Sequence, residues 1–301
     1  MKKIIFIALM VITSTNVFTQ NPATIQESMI SMKTYPFFDP NPIPNPDNNY
    51  YPYFRFDGFS TEGEEKMWKQ IILENDYIKV FIVPEIGGKI WGAIEKSTNN
   101  EFIYYNSVVK FRDIAMRGPW TSGGLELNFG LIGHSPTTSS TVDYKMKKNN
   151  DGSVSCFLSA TDLITRTRWE TEVNLKSDKA YFTTKTTWHN PTPLTQPYYH
   201  WINGGFQADG DLEFCFPGSH WIGHDGLASN WPFNKDGRNL AFYKQNNFGG
   251  DKSYHVVDGI NDFYAAYWHD LNFGSVHFSP YNEKLGRKIF LWSQAKSGGI
   301  W

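Results

Sequence analysis

Residues 168–188 read RWETEVNLKSDKAYFTTKTTW, and this stretch decides the fold. From Arg168 the residues alternate strictly, with Trp169, Thr171, Val173 and Leu175 on one side and charged or amide side chains on the other. A period of two is the signature of a strand with one buried face. The turn Lys176-Ser177-Asp178-Lys179 follows, and beyond it Phe182, Thr184, Thr186 and Trp188 again share a side. Two alternating runs joined by a short polar turn predict an antiparallel hairpin, dry on one face and wet on the other.

The same pattern extends outward in both directions. Segments 68–73 (WKQIIL) and 78–83 (IKVFIV) read as strands, separated by the hairpin signal Glu74-Asn75-Asp76. Gly87-Gly88 permits a sharp bend into 89–94 (KIWGAI), and 154–158, 214–216 and 288–292 are further strand-like runs. Beyond the N-terminal leader, no stretch long enough for a helix carries a helical period with caps, and no internal repeat is visible. Many short strands with frequent turn residues predict an all-β fold, an antiparallel sandwich.

The chain opens with Lys2 and Lys3, an apolar run over 4–12 and the polar Thr13-Ser14-Thr15-Asn16. That is the layout of a secretory signal, assigned to residues 1–20, and it predicts a secreted or periplasmic protein. No cysteine follows the run, so no lipid anchor is expected, and no later apolar stretch is long enough to insert in a membrane. Residues 21–65 are expected to form a proline- and aromatic-rich arm: Pro36, Pro40, Pro42, Pro44, Pro46 and Pro52 forbid regular structure, while Tyr35, Phe37, Phe38, Tyr50, Tyr51 and Tyr53 can dock it. Residues 66–301 then form one β domain. A strand at 288–292 followed by Gly298-Gly299-Ile300-Trp301 predicts that this domain continues past Trp301.

The whole chain carries a net charge of −2, and loss of Lys2 and Lys3 with the leader takes it to −4. So small and unclustered a charge gives no basis for binding nucleic acid. Cys156 and Cys215 are the only cysteines, and both readings, a disulfide or two buried thiols, fit their apolar surroundings. Aromatic residues make up 17% of the chain, more than a core needs. Flat rings beside polar groups are how proteins hold the C–H face of a sugar, so an oligosaccharide or polysaccharide is the expected partner.

Three constellations can carry chemistry. The first is 117–130 (RGPWTSGGLELNFG) with Gly133-His134, where glycines let the backbone approach a ligand and Arg117, Trp120, Glu126, Asn128 and His134 supply the polar and aromatic groups. Its structural alternative is a salt bridge between Glu126 and Arg117 in a glycine-rich strand pair. The second is 198–205 (YYHWINGG), in which His200 beside Trp201 is placed to act as a general acid, or else is a core histidine bonded to backbone. The third is 220–226 (HWIGHDG), where His220 and Trp221 are expected to touch sugar. The spacing of His220 and His224 faces one way only on a helix, so no metal is expected there. No cofactor is implied, calcium is left open by the sequence, and no serine elbow, Walker loop or dinucleotide fingerprint is present.

Pro84-Glu85-Ile86-Gly87-Gly88-Lys89-Ile90, Arg117 with Ser122-Gly123-Gly124-Leu125-Glu126, and Asn190-Pro191 followed by His200-Trp201 together resemble the galactose mutarotase-like superfamily, the aldose 1-epimerase type of β-supersandwich, in an exported bacterial branch. The resemblance runs over about residues 65 to 300, and the order of the motifs carries it. It implies an antiparallel β-supersandwich. It also implies chemistry at the anomeric centre, with a histidine, here His200, protonating the ring oxygen while a carboxylate takes the anomeric proton. The family's base is a glutamate near the C terminus, and this chain stops before any such position, which leaves Glu126 either to substitute for it or to bind hydroxyls. The expected activity is glycosidase-like, with an acid such as Asp209, Asp211 or Glu213 as the second carboxyl group. Aldose epimerisation and a non-catalytic carbohydrate-binding module are the alternatives.

Overall fold

A computed structural model describes residues 21–36, 60–115, 118–130, 134, 136–197, 199–246, 252–283 and 286–291. Residues 1–20, for which a leader is expected, most of the proline-rich segment, Arg117 and residues 292–301 lie outside the described residues.

The first strands in the chain are β1 (Thr24–Tyr35), β2 (Glu64–Glu74), β3 (Ile78–Val83), β4 (Lys89–Glu95), β5 (Glu101–Ile103) and β6 (Val108–Lys110). A short ribbon of β7 (Arg112–Ala115) and β8 (Gly118–Trp120) leads into β9 (Leu125–Phe129). Then come β10 (Asp143–Lys148), β11 (Val154–Thr161), β12 (Arg168–Leu175) and β13 (Phe182–His189), a four-stranded up-and-down sheet, followed by β14 (His200–Gly204). The remaining strands are β15 (Leu212–Cys215), β16 (His220–Ile222), β17 (Ala228–Asn230), β18 (Lys252–Val257), β19 (Phe263–Trp268), β20 (Phe273–Phe278) and β21 (Lys288–Leu291). Two 3₁₀ turns, Pro136–Ser139 and Tyr243–Gln245, are the helical elements among the described residues. The protein is an all-β sandwich.

The large sheet runs β14-β9-β4-β3-β2-β1-β6, with β5 also on β4. Its pairs are antiparallel except β1 with β6. It packs on the β10–β13 sheet through Ile71, Leu73, Ile78, Val80, Leu127, Phe129, Leu158, Trp169, Val173 and Leu175. The alternation in β12 is realised as expected: Trp169, Thr171, Val173 and Leu175 are buried, while Arg168 and Glu170 are exposed. Phe129 stacks on Trp169 at 4.4 Å between ring centres. The opposite face of the large sheet carries a second apolar cluster of Met32, Trp68, Val83, Ile86, Trp91, Val109 and Phe111. A third core, with Leu212, Phe214, Trp231, Tyr254, Val256, Trp268 and Ile289, binds the smaller sheets β15-β19-β20 and β17-β16-β18-β21 together.

One expectation changes and one open alternative closes. Residues 21–65 are not wholly an arm, because Thr24–Tyr35 is strand β1, paired with β2 along its length and with β6 at its end. Met32 lies with Trp68 in the apolar cluster and burial alternates along the strand, but the residue types do not, with Met29 beside Ile30 and polar Ser28 and Thr34 turned inward. Cys156 and Cys215 are both free thiols: one lies inside the first core, the other at the end of β15, and burial pushes the Cys156 thiol up to about 12.

Candidate functional site

β9 and β14 form the edge of the large sheet, paired antiparallel so that Glu126 faces Asn203, Leu127 faces Ile202, Asn128 faces Trp201 and Phe129 faces His200. Alternation therefore sets Glu126, Asn128, Trp201 and Asn203 on one face. Leu127, Phe129, Ile202 and His200 take the other, which looks into the first core. The register dictates which residues can meet.

Two double glycines hold this edge. The Gly124 N–H donates to the Tyr104 carbonyl (2.9 Å), Gly205 N–H to the Gly124 carbonyl (2.7 Å), and Tyr104 N–H to the Gly205 carbonyl (3.0 Å). Gly124 has φ +64°, and a Cβ on it would stand 2.6 Å from the Ile90 carbonyl oxygen; one on Gly205 would stand 2.8 Å from the Gly123 Cα. The glycines thus serve backbone packing beside the site.

Glu126 is 2% exposed. The Trp120 indole N–H donates to its Oε2 at 2.8 Å and the Asn203 amide donates to the same oxygen at 3.2 Å. His134 Nδ1 stands 3.0 Å from both carboxylate oxygens. A carboxylate only accepts, so Nδ1 carries the proton and Nε2 is the nitrogen turned away from Glu126. Burial by itself would raise the Glu126 carboxyl, but the hydrogen bond and charge of His134, the Lys89 ammonium and the Trp120 N–H outweigh it and hold the group below its ordinary range.

Lys89, at the start of β4, is 3% exposed. Its ammonium donates to the Thr121 carbonyl and to Thr121 Oγ1 (3.2 Å), and lies 5.4 Å from the Trp120 ring centre and 5.8 Å from that of Trp91. Burial lowers it to about 8, against the pull of Glu126. The His134 ring packs on Trp120 at 5.3 Å and meets Trp201 edge-on at 5.1 Å. His134 keeps 19% of its side chain exposed, so the imidazole, rather than the carboxylate behind it, is what a ligand can reach.

Of the residues expected from sequence, Glu126, Trp120, His134, Trp201 and Asn128 are brought to one face, and Arg117 falls outside the described residues. His200 is not among them. Its Nδ1 donates to the Asn128 carbonyl at 2.8 Å and its ring stacks on Phe129 at 4.6 Å, on the core side of the same strand pair. His220 pairs with Asp258 at 2.7 Å on another sheet, and Trp221 packs edge-on against Tyr254 in the third core. Sequence reading missed Lys89 and Asn203. A lysine heading an otherwise apolar strand was the available signal for the first, and the two-residue spacing of Trp201 and Asn203 for the second.

Among the described residues no group of three or more His, Cys, Asp or Glu side chains is arranged to hold a metal. A polar depression of about 430 Å³ between Lys147, Asn149, Asp151, Ser153, Glu172 and Asn174 lies on the β10–β12 sheet and has no aromatic wall.

The fold is similar to that of a TPR-domain containing protein from Parabacteroides distasonis ATCC 8503, with a TM-score of 0.80 at 22% identity. The similarity covers 91% of this chain and 47% of that one, so the chain spans about half the length of that protein. A family model described as "Domain of unknown function (DUF5107)" matches residues 45–301, and the chain belongs to that family.

Proposed function

We propose that this is an exported carbohydrate-active protein that binds a saccharide over the β9–β14 face and acts at its anomeric centre by proton transfer, as aldose epimerases do. The observation that carries the reading is the Glu126–His134 pair, backed by the buried Trp120 and flanked by the partly exposed ring of Trp201. The Trp201 ring supplies apolar surface for a sugar's C–H face, and the imidazole supplies an acid–base group. Glu126 is buried and its oxygens already accept three donors, so it acts through His134 by fixing the tautomer, as a positioning residue.

In this reading His134 Nε2 takes the proton of the anomeric hydroxyl and returns one to the ring oxygen as the C1–O bond breaks. Reclosure on either face reverses both transfers, and no other reagent is consumed. The resemblance in the 84–90 and 117–130 motifs supports the same chemistry. A hydrolase would need a second carboxyl group about 5–9.5 Å across the bond from the first. The expected partners are engaged elsewhere: Asp209 accepts the Gly210 N–H, Asp211 the Asp270 N–H, and Glu213 pairs with His269.

The test follows anomer exchange and release of reducing ends on a panel of oligosaccharides. His134→Asn is expected to abolish turnover while KM or binding changes little. Glu126→Gln should lower kcat by about 10²–10⁴-fold and alter the His134 ring-nitrogen shifts in ¹⁵N NMR. His200→Gln should leave both rate and binding intact. Loss of activity in His200→Gln with full activity in His134→Asn would overturn the assignment; binding without turnover in the wild type would reduce the protein to a binding module.

A further inference from the structure

Trp201 has a second neighbour besides His134. The Lys288 ammonium, from β21 in the sheet β17-β16-β18-β21, lies 5.7 Å from the Trp201 ring centre and 5.1 Å from that of Phe290. Ile289 and Leu291 point into the third core, so Lys288 and Phe290 project from the opposite face. His255 is directly across the ladder from Lys288, and His224 meets both the His255 ring (5.4 Å) and the Phe290 ring (6.2 Å) edge-on. Three basic side chains and two aromatic rings therefore form a ledge that continues the Glu126–His134 face through Trp201.

Among the described residues this ledge has no acid to balance it. No ion pair among the described residues joins Lys288, His255 or His224 to a carboxylate. The nearby acids are turned elsewhere: Asp258 is held by His220, and Asp225 accepts the Leu227 N–H at 3.0 Å. His255 Nδ1 donates to the Ile222 carbonyl at 3.1 Å, so Nε2 offers an N–H to an anion when the ring is protonated. Lys288 is half-buried, and burial lowers its ammonium below the ordinary value. Burial, and then the charges of Lys288 and His224, likewise press the His255 imidazole down against the opposing pull of the Ile222 carbonyl. Burial disfavours the charged forms of Lys288 and His255, and an arriving anion beside them offsets that penalty.

We propose that the saccharide bound by this protein carries a negative group, a carboxylate or a sulfate ester, which sits on the ledge of Lys288, His255 and His224 while the neighbouring ring stacks over Trp201. The inference rests on the carbohydrate reading of the Glu126–His134 face and adds the class of sugar. A lysine binds as a compact point charge, which suits either anion; matched ligands separate the two.

The experiment measures binding of the chain from residue 21 to neutral xylo-, manno- and galacto-oligosaccharides, to oligogalacturonate and oligomannuronate, and to sulfated galactan oligomers. The wild type should prefer one acidic series, with affinity falling as salt rises. Lys288→Met should weaken that series about tenfold and leave neutral sugars unchanged. His255→Gln, a milder change at a partly exposed position, should reduce the same preference and guards against a folding defect in Lys288→Met. Equal binding of neutral and acidic sugars, or an acidic preference that survives both substitutions, overturns the anionic subsite while the carbohydrate reading stands. No binding of any sugar by the wild type removes the carbohydrate reading itself.

Discussion

At the scale of single residues, Lys89 shows how a charge can be kept inside a protein. Its ammonium is surrounded by Trp91, Trp120 and Thr121, with Glu126 as the counter-charge, and its folded value of about 8 is well below the ordinary 10.5. The folded state therefore gives up its proton before the unfolded chain does. Between pH 8 and 10.5 the unfolded chain holds more protons, so stability must rise with pH through that window. The gain attributable to this one group is about 3 kcal/mol. Urea unfolding at pH 7.5 and pH 10.5 should show that rise in the wild type relative to Lys89→Met, in which it should be missing; equal slopes would mean that Lys89 titrates normally. Glu126 is the complementary case, a buried carboxylate that stays charged only because His134, Lys89 and Trp120 surround it.

At the scale of elements, the packing of the two sandwich sheets is fastened at the hairpin tips. Asn75, in the turn between β2 and β3, is 5% exposed. Its amide donates to the Lys176 and Lys179 carbonyls, both at 2.7 Å, in the turn between β12 and β13. Its Oδ1 accepts the Tyr77 N–H (2.9 Å) and the Ile78 N–H (2.8 Å). One side chain thus closes its own hairpin and ties it to the other sheet. Asn75→Ala strands buried carbonyls and amides, each costing about 1–3 kcal/mol, so the variant should lose about 3 kcal/mol in denaturant unfolding. A loss below ~0.5 kcal/mol would show that water replaces the clamp. In the sequence this residue was visible only as a turn former, because its partners lie about a hundred positions away.

At the scale of the molecule, β1 is the element whose removal says most. The family match begins at residue 45, yet β1 lies at Thr24–Tyr35 and pairs with β2 from Thr24↔Glu74 to Thr34↔Glu64. A chain of residues 45–301 would open that edge of β2 and uncover Trp68, whose indole N–H donates to Thr34 Oγ1 at 2.9 Å. An unpaired strand edge beside an apolar cluster is a template for association. Size-exclusion chromatography should find residues 21–301 as a discrete species and 45–301 as larger assemblies with a lower melting temperature. Equal behaviour of the two would make β1 an accessory strand.

The sequence by itself determined the all-β class, the β2–β3 and β12–β13 hairpins and the inward faces of β12 and β13, because period-two alternation is a local property of a strand with one dry side. It also singled out Glu126, Trp120 and His134 in one glycine-rich run and Trp201 in another, as candidates. Only the tertiary structure decided that His200 faces the core and His134 faces outward beside Glu126. The side taken by His200 depends on the β9–β14 register, since a shift of one residue would exchange the two faces, and His134 reaches Glu126 from the segment that follows β9. Nor could local pattern bring Lys89 of β4 to Glu126 of β9, or Lys288 of β21 to Trp201 of β14. Those meetings are made by strand order and sheet packing, which bring distant parts of the chain together.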